Sequence, residues 1–550
     1  MMLPNEIPAA TVKERIFCGE AQGGTLTLAE NIDLTALPRL RPRAGATAFR
    51  GIAGEMLQFF CNGERAVALT RDNGAYFAQI FDVIGGSLVS LALPAPQADG
   101  FLYAHTWRFD RLYLPAFGAL IDTKQLRVLP TDRPLLNGSP LMEHREDLVA
   151  KNQHIVIFED KTDFSCYPVG ESVRVDYQLI QSDQILSCYV KIVAVDADLG
   201  EITLQGDGAT KIIYAVLDTV TLHYDIPRLT AMMSDHDRVY GYHRNRIYIS
   251  AKDERGVRFG SLEDDSAENA PHELEMTGEI TGCCMYRGRP VFFTDAAVIT
   301  LIEDVELGLR VTQTPTVGVS PRAVTSPAVI GSKICYFSRY GLAVYDGRSA
   351  RVVHSDIGAP TRGGAAVADG CFYSFVAADG QGGEALYAYD IEHDALYCMG
   401  DASEAGICFA LGGVLVGSRF DGLETELLIF TDRESLPYPI SEMAEQGIVQ
   451  AQPAKALESR ADFAEDREPC GDFGPFSLVL DAALGEGGEL TLSLFYDGEA
   501  IPAAQQVLRG PMAREMRRIA LAPRRCKSYR LGLVGKGEFS VFGVKALRRI

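Results

Sequence analysis

Long apolar runs and helical periodicity are both scarce in this sequence. No segment approaches the ~20 apolar residues of a membrane-spanning helix, so we expect no membrane span. The N-terminus lacks a basic start followed by an apolar run, and we therefore expect residence to begin in a cytoplasm. Amphipathic helical stretches are nearly absent, which leaves strands as the main element of the fold.

The cysteines are not spaced as metal ligands or disulfide partners usually are. Twelve are scattered singly, apart from the adjacent pair Cys283 and Cys284, and no CxxC occurs. This pattern argues against a zinc ribbon and against a disulfide framework. We expect reduced, buried thiols that behave as small apolar groups.

Short motifs that carry enzyme chemistry are also missing. The sequence contains no GxSxG, no HExxH, no Walker-type phosphate loop and no GxGxxG opening a helix. The acidic stretch 261–275 lacks the alternating Asp/Asn and glycine pattern of a calcium loop, so we interpret it as a connecting loop. We accordingly predict no enzymatic activity, no cofactor and no metal site.

What the sequence does contain is a succession of short apolar strands separated by Gly, Asp and Asn turns. A recurring unit of two strands around a turn appears as AVITLIEDVELGLRV, GLAVYDGRSARVV and ALYAYDIEHDALYCM, at intervals of roughly 40 to 50 residues, a period typical of four-stranded propeller blades. A β-sandwich would partly mimic this pattern. We favour six blades, with seven as the alternative.

The predicted fold is therefore all-β: a β-propeller of about six blades with an inserted small β-barrel or sandwich and a C-terminal β-sandwich. Polar and proline-bearing stretches and changes in strand pattern set the boundaries. The predicted segments are an N-terminal arm (1–45), a first propeller part (46–159), the insert (160–226), a second propeller part (227–432), a linker (433–460) and the sandwich (461–550).

Charge is unevenly distributed along the chain. The net charge is −21, which argues against a general nucleic-acid binder because phosphate affinity comes from Lys and Arg. Yet the segment from Arg509 to Arg549 has twelve Lys and Arg against two acids, which leaves about −31 for the rest of the chain. This basic segment is either a set of solvated strand faces or a docking surface for an acidic partner. The candidate interface residues are Arg517, Arg518, Arg524, Arg525 and Lys527.

The stretch SDHDRVYGYHRNRIYIS (234–250) brings several metal-ligand types together in sequence. Its apolar-aromatic runs RVYGY and RIYIS predict two strands of a hairpin with His243, Arg244 and Asn245 at the turn. His236 and His243 would then lie some 15 to 20 Å apart, at about 3.3 Å per residue. We therefore predict no shared metal, and expect any role of His236 to be a hydrogen bond that supports stability.

Three segments in fixed order resemble structural β-propellers of tailed bacteriophages and prophages. They are RLTAMMSDHDRVYGYHRNRIYISA (228–251), ITGCCMYRGRPVFFTDAAVITLI (280–302) and VGVSPRAVTSPAVIGSKICYFSRYGLAVYDG (317–347); VGESVRV (169–175) and NIDLTALPRLRPR (31–43) are similar too. The positions that carry the resemblance are His236, Arg238, Gly241, Ile247, Phe293, Asp295, Ile299, Ser338, Gly341, Tyr345 and Gly347.

This resemblance implies a non-enzymatic virion protein of the portal, neck or upper tail, such as a neck plug or tail-tube nozzle. Members of that family form homo-oligomeric rings, often sixfold, around the DNA path. The implied partners are portal, adaptor and tail components, with DNA passing nearby without sequence-specific binding, and the implied location is the virion, assembled in the bacterial cytoplasm. Two other hypotheses remain: a carbohydrate-binding or glycan-processing propeller, and a bacterial scaffolding propeller with a protein partner.

Overall fold

The structure is a computed structural model of the chain, and it contains two compact units. The terminal unit comprises Met1–Ala53 and Pro360–Ile550, and the central unit comprises Gly54–Ala359. The residues described are 12–18, 26–30, 47–62, 64–82, 86–97, 102, 104–130, 136–138, 141–146, 153–158, 169–178, 185–196, 198, 201–205, 220–223, 226–252, 257–261, 265–266, 268–304, 308–323, 326–355, 357, 360–377, 384–392, 394–399, 408–411, 413–430, 459–463, 474–522 and 524–549. Within these residues, no helix has the length and apolarity needed to cross a membrane.

Strands dominate both units, as expected. The terminal unit begins with β1 (Val12–Cys18), β2 (Leu26–Glu30) and β3 (Thr47–Ala53). The central unit contains β4 (Glu55–Cys61), β5 (Arg65–Asp72), β6 (Ala75–Asp82), β7 (Ser87–Leu93), β8 (Thr106–Arg108), β9 (Arg111–Leu114), β10 (Ala119–Asp122), β11 (Arg127–Pro130), β12 (Leu136–Gly138), β13 (Leu141–Glu146), β14 (Gln153–Phe158), β15 (Ser172–Gln178), β16 (Ile185–Asp196), β17 (Glu201–Gln205), β18 (Val220–His223), β19 (Ala231–Ser234), β20 (Val239–His243), β21 (Arg246–Ile249), β22 (His272–Glu275), β23 (Gly282–Tyr286), β24 (Arg289–Phe293), β25 (Ala297–Asp304), β26 (Gly308–Pro315), β27 (Ala328–Ile330), β28 (Lys333–Ser338), β29 (Gly341–Tyr345) and β30 (Ala350–His354).

The terminal unit resumes after the central unit and ends with the last fourteen strands. They are β31 (Pro360–Ala368), β32 (Cys371–Ala377), β33 (Glu384–Asp390), β34 (Ala395–Cys398), β35 (Cys408–Leu411), β36 (Val414–Phe420), β37 (Glu424–Ile429), β38 (Ser459–Phe463), β39 (Ser477–Leu484), β40 (Glu489–Tyr496), β41 (Ala504–Arg509), β42 (Met512–Ala520), β43 (Tyr529–Lys536) and β44 (Phe539–Arg549).

Five sheets of the central unit are each built from four consecutive antiparallel strands: β4–β7, β8–β11, β19–β22, β23–β26 and β27–β30. Tight turns allow this local pairing. Between β5 and β6, for example, Asn73 and Gly74 have φ values of 48° and 82°, and both central residues of a type I′ turn need positive φ.

Hydrophobic cores of the central unit lie between neighbouring sheets. One core joins β4–β7 to β8–β10, a second joins β19–β21 to β24 and β25, and a third joins β23–β25 to β28 and β29. Aromatic pairs cross these boundaries: the rings of Tyr242 and Phe292 are 6.3 Å apart, and those of Phe293 and Tyr336 are 5.0 Å apart. Each small sheet therefore depends on the next sheet to bury its apolar faces.

The first strands of successive sheets also contact one another. In the central unit β8 contacts β19, β19 contacts β23, and β23 contacts β27; in the terminal unit β31 contacts β35. These sheets therefore lie side by side with their first strands in contact, whereas β4–β7 meets β8–β11 through β7 and β11.

The inserted segment forms a seven-stranded sheet with the order β12-β18-β15-β16-β17-β14-β13. This sheet starts at Leu136, so the predicted boundary at residue 160 is too late. Strands β12 to β14, expected in the first propeller part, pair with the insert instead. The hairpin of β13 and β14 has the same strand and turn character as the others, and only its pairing with β17 reveals where it belongs.

The insert is joined to the sheets beside it by apolar packing and by a buried ion pair. Val173, Val190 and Ile202 share one core with Tyr113 and Leu229. Arg111 of β9 pairs with Glu171, which directly precedes β15 and is 1% exposed. Because an unpaired buried charge costs several kcal/mol, this ion pair favours a single position of the insert against the sheet β8–β11.

In the terminal unit, β3 completes the sheet β3-β37-β36-β35, and β31–β34 form the start of a nine-stranded sheet. Among the described residues, seven four-stranded units can therefore be counted, one more than the six expected. The strand β3 is separated from its partner β37 by most of the chain, so local strand patterns could not show that β35–β37 form a complete unit.

The C-terminal residues form two sheets that share one core, a β-sandwich. One sheet has the order β1-β44-β39-β42, and the other continues the nine-stranded sheet through β2-β38-β43-β40-β41. Leu478 and Leu480 of the first sheet pack in the same core as Leu492 and Leu531 of the second. The predicted N-terminal arm thus supplies β1 and β2 to this sandwich. The predicted linker lies outside the described residues except for its last two.

A glycine pair in the sheet β27–β30 tests this architecture. Gly341 has φ of 114°, and an added Cβ would lie 2.0 Å from the His354 backbone oxygen; Gly331 also has positive φ (55°), but with open space around it. We expect Gly341→Ala to lower the free energy of unfolding by more than 3 kcal/mol, and Gly331→Ala by about 1 kcal/mol. Thermal and urea unfolding of both variants measure the difference, and equal losses would contradict the predicted register of β29 and β30.

Candidate interaction surface

The stretch 234–250 folds as a hairpin, as predicted, but His243 belongs to strand β20 and not to the turn. Strands β20 and β21 pair from Tyr240 with Ile249 to His243 with Arg246, around a two-residue turn in which Arg244 has φ of 53°. The two histidines have separate surroundings. The ring of His236 lies 6.5 Å from that of Phe109, whereas His243 Nδ1 is 3.3 Å from the Thr230 hydroxyl. Among the described residues, no group of three or more His, Cys, Asp or Glu side chains is placed to hold a metal ion.

The turn before β20 is stabilised by Asp235 rather than by His236. The Asp235 carboxylate accepts hydrogen bonds from the backbone N–H groups of Asp237 (2.8 Å) and Arg238 (2.7 Å), and from the Tyr240 hydroxyl (2.8 Å). The side chain of His236 makes a ring contact, and the expected hydrogen bond from it is not found among the described residues. Asp235 fits here because Asp side chains readily bond to backbone amides two or three residues ahead.

Arg238 is the most connected residue of this stretch. Its guanidinium is 1% exposed and donates to the backbone oxygens of Ser250, Ala270 (3.0 Å) and Glu268 (2.5 Å). Its Nε also lies 2.7 Å from the Glu303 carboxylate, which belongs to β25 of the neighbouring sheet. One arginine therefore links the hairpin, the loop before β22 and the next sheet.

The surroundings of the buried thiols indicate packing rather than reactivity. Burial raises the pKa of Cys283 and of Cys335 to about 12, so both remain protonated thiols near neutral pH. A thiol must ionise to act as a nucleophile or a metal ligand. Cys283 packs in the core between β19–β21 and β24–β25, and Cys335 is buried within β28.

One cleft of the central unit is a candidate carbohydrate site. It encloses about 70 Å³ and is lined by Tyr113, Pro115, Arg228 and mainly apolar neighbours. Its lining contains no carboxylate, whereas glycoside hydrolysis ordinarily uses a pair of carboxyl groups. This cleft gives no support to the glycan-processing hypothesis.

The basic segment folds into the C-terminal sandwich, where the five candidate interface residues occupy two places. Arg517 and Arg518 lie on β42, and Arg524, Arg525 and Lys527 lie on the loop 521–528 that follows it. All five are exposed. The structure therefore separates them into a strand group and a loop group.

Part of the positive charge is compensated by acidic side chains. Arg514 pairs with Asp481 of β39 at 2.8 Å and Arg524 pairs with Glu499 at 2.7 Å, and both acids precede the basic segment. Arg517 pairs with Glu515 within the segment. Several arginines also stack on aromatic rings: Arg514 lies 4.0 Å above Phe542, and Arg518 lies 5.8 Å from the Phe476 ring. The count of twelve Lys and Arg against two acids in residues 509–549 thus overstates the positive charge of the folded surface.

The loop 521–528 is anchored to the turn between β40 and β41. Asp497 of that turn accepts hydrogen bonds from the backbone N–H groups of Lys527 (2.6 Å) and Ser528 (3.0 Å). These bonds lower the pKa of Asp497, so the turn loses this stabilisation as pH falls through that pKa. Arg525 and Lys527 are exposed on this anchored loop, and Ile501 of the turn between β40 and β41 is 79% exposed. We name this region, residues 497–503, 521, 522 and 524–528, the basic loop surface.

Comparisons with known proteins give little guidance. No protein-family model and no curated protein sequence matches the chain. Two crystal structures of an exo-β-1,3-galactanase from Phanerochaete chrysosporium, with β-1,3-galactotriose and with galactose, align with 92% of this chain and 100% of their own, each at a TM-score of 0.21 and at 8% and 7% identity. An exported protein from Bacteroides fragilis aligns with 54% of this chain and 96% of its own, at a TM-score of 0.24 and 9% identity. TM-scores this low carry no argument about fold or activity.

The role assigned to Arg238 is testable beside an exposed arginine of the same sheet. Arg238→Ala leaves three backbone oxygens without their donor, and we expect a loss of about 3–5 kcal/mol of stability. Arg246 pairs with Glu273, and both side chains are 49% exposed. Arg246→Ala should therefore cost at most about 1 kcal/mol. Thermal unfolding and hydrogen exchange of β20 and β21 measure both effects, and unchanged exchange in Arg238→Ala would refute the assignment.

Proposed function

We propose that this chain is a non-enzymatic structural subunit of a tailed-phage virion, located at the portal, neck or upper tail. In this proposal the seven four-stranded units are the blades of a β-propeller, and several copies assemble into a ring around the DNA path. The proposal rests on the resemblance of three sequence segments and on the positions those segments occupy in the fold.

The strand order supports the propeller. Six of the seven four-stranded units pair four consecutive strands, and contacts between first strands join β8 to β19, β19 to β23, β23 to β27 and β31 to β35. The sheet β3-β37-β36-β35 is the one that does not use four consecutive strands, because its strand β3 comes from the N-terminal part of the chain. In a propeller, such an exchange would join the two ends of the blade series and leave fewer open sheet edges.

The observation that carries the proposal is where the three family-like segments fall. Each covers the first three strands of a four-stranded sheet, and the three sheets follow one another: β19–β21, β23–β25 and β27–β29. Within them, Arg238 bridges two sheets through Glu303, and the backbone of Gly341 passes too close to His354 to admit a side chain. The residues that carry the resemblance therefore perform structural tasks of a repeated blade.

The charge of the molecule suits a position beside DNA. A net charge of −21 repels phosphates, so DNA would move past the protein without being bound. The basic loop surface is the region we propose for contact with an acidic neighbour, either another copy or a portal component. Arg525 and Lys527 are its principal contacts.

Electron microscopy of the purified full-length protein tests the ring. We expect class averages of negatively stained particles to show a ring with a central pore. The double variant Arg525→Glu/Lys527→Glu should dissociate the ring, while Arg348→Glu, at an exposed turn of a different sheet, should not. Because exposed charge contacts are screened by salt, the assembly should also weaken as ionic strength rises. A wild-type protein that stays monomeric at its highest soluble concentration would refute the proposal.

A further inference from the structure

Strand β42 is an edge strand with an unusual pattern of exposure. Within the described residues it is the last strand of the sheet β1-β44-β39-β42, so its outer backbone groups have no strand beside them. Six consecutive residues, 513–518, are exposed, and Met516 is 76% exposed. A free edge of this length is a template for another strand unless the side chains prevent pairing.

The two faces of β42 differ in how their side chains are held. On the face that also carries Leu478 and Leu480, the middle positions of β42 are Glu515 and Arg517, which pair with each other and are 47% and 49% exposed. On the other face, Met516 lies between Arg514 and Arg518. Those two arginines are directed back over their own sheet, through Asp481 and Phe542 for Arg514 and through Ser477 for Arg518.

We propose that β42 pairs antiparallel with β42 of a second copy of this chain, about a two-fold axis at Met516. In this register Glu515 lies opposite Arg517 of the second copy, and Arg517 lies opposite its Glu515. The side chains form two complementary cross-strand charge pairs, and the two exposed Met516 side chains meet at the axis. The two four-stranded sheets become one eight-stranded sheet.

The same register places Arg514 opposite Arg518 of the second copy, which by itself would be unfavourable. The intrachain contacts of both arginines reduce this repulsion, because Asp481 compensates the charge of Arg514 and Ser477 holds Arg518 near β39. A register shifted by one residue would place Glu515 opposite Arg518 and Met516 opposite Arg517, and it would join the core-side face of one sheet to the outer face of the other. The match of faces, together with the two Glu515–Arg517 pairs, therefore selects Met516 as the centre.

This contact is independent of the proposed ring. A two-fold contact uses the same patch on both partners, whereas a cyclic ring needs two different patches. The basic loop surface serves the ring, and β42 serves the two-fold pair. If the ring contact and the β42 contact both form, two rings would associate through their β42 edges. If only the β42 contact forms, the protein is a dimer.

Charge exchange at two positions provides the test, with the mass of the full-length protein measured by analytical ultracentrifugation. Glu515→Arg and Arg517→Glu should each halve the mass of the assembly, because each places like charges opposite one another. An equimolar mixture of these two variants, and the double variant Glu515→Arg/Arg517→Glu, should restore it. Met516→Lys, which leaves both charged residues in place, should halve the mass as well, and Arg348→Glu should leave it unchanged.

Circular dichroism of each variant shows whether its fold is retained, and Met516→Lys keeps the test decisive if a charge-reversed variant unfolds. An assembly whose mass is unchanged in both single reversals and in Met516→Lys would overturn the proposal. So would a wild-type protein without any two-fold association, in which case the Glu515–Arg517 pair only protects the edge from aggregation. Loss of the ring in Arg525→Glu/Lys527→Glu with the β42 pair retained would separate the two surfaces.

Discussion

A four-stranded sheet with two apolar faces must be covered on both sides, and the architecture follows from this requirement. In the sheet β27–β30, every residue of β29 and all but the first of β28 are buried. No single sheet of this size can shield both faces by itself, so each core of the central unit lies between sheets. Because short strands alternate with tight turns in the sequence, one chain can form a series of such sheets that pack against one another.

Buried charges refine this apolar packing. Arg238 connects a hairpin to Glu303 of the next sheet, and Arg111 connects a sheet to Glu171 of the insert. Arg111 and Glu171 are both buried, and Arg238 is buried although Glu303 is 38% exposed. Leaving a buried guanidinium without its partner is costly, so each pair favours one relative position of the elements it joins. The stretch 234–250 resembles a ligand cluster in sequence, but its charged residues serve this positional role. Gly341 has a structural role as well, because the backbone around it leaves no room for a side chain.

Several features could be predicted from the sequence because they depend on local order. The strand character, the hairpin 239–249 and the separation of His236 from His243 follow from residue pattern alone. Features that depend on distant pairing could not be predicted: β3 with β37, the early start of the inserted sheet at Leu136, and the acids of β39 and of the β40–β41 turn that compensate the basic segment. The burial of Arg238 was also missed, although its place in the family-like segment was a signal.

The proposed virion role brings together the repeated sheets, the acidic body and two separate surfaces for neighbours. Its central claim is that the protein is a component of a phage particle. Quantitative mass spectrometry of particles purified from the strain that encodes this chain tests that claim most directly. We predict that the protein is present at a fixed ratio to the portal protein in particles that contain DNA. Its absence from such particles, with the protein found only in the cell lysate, would contradict the account.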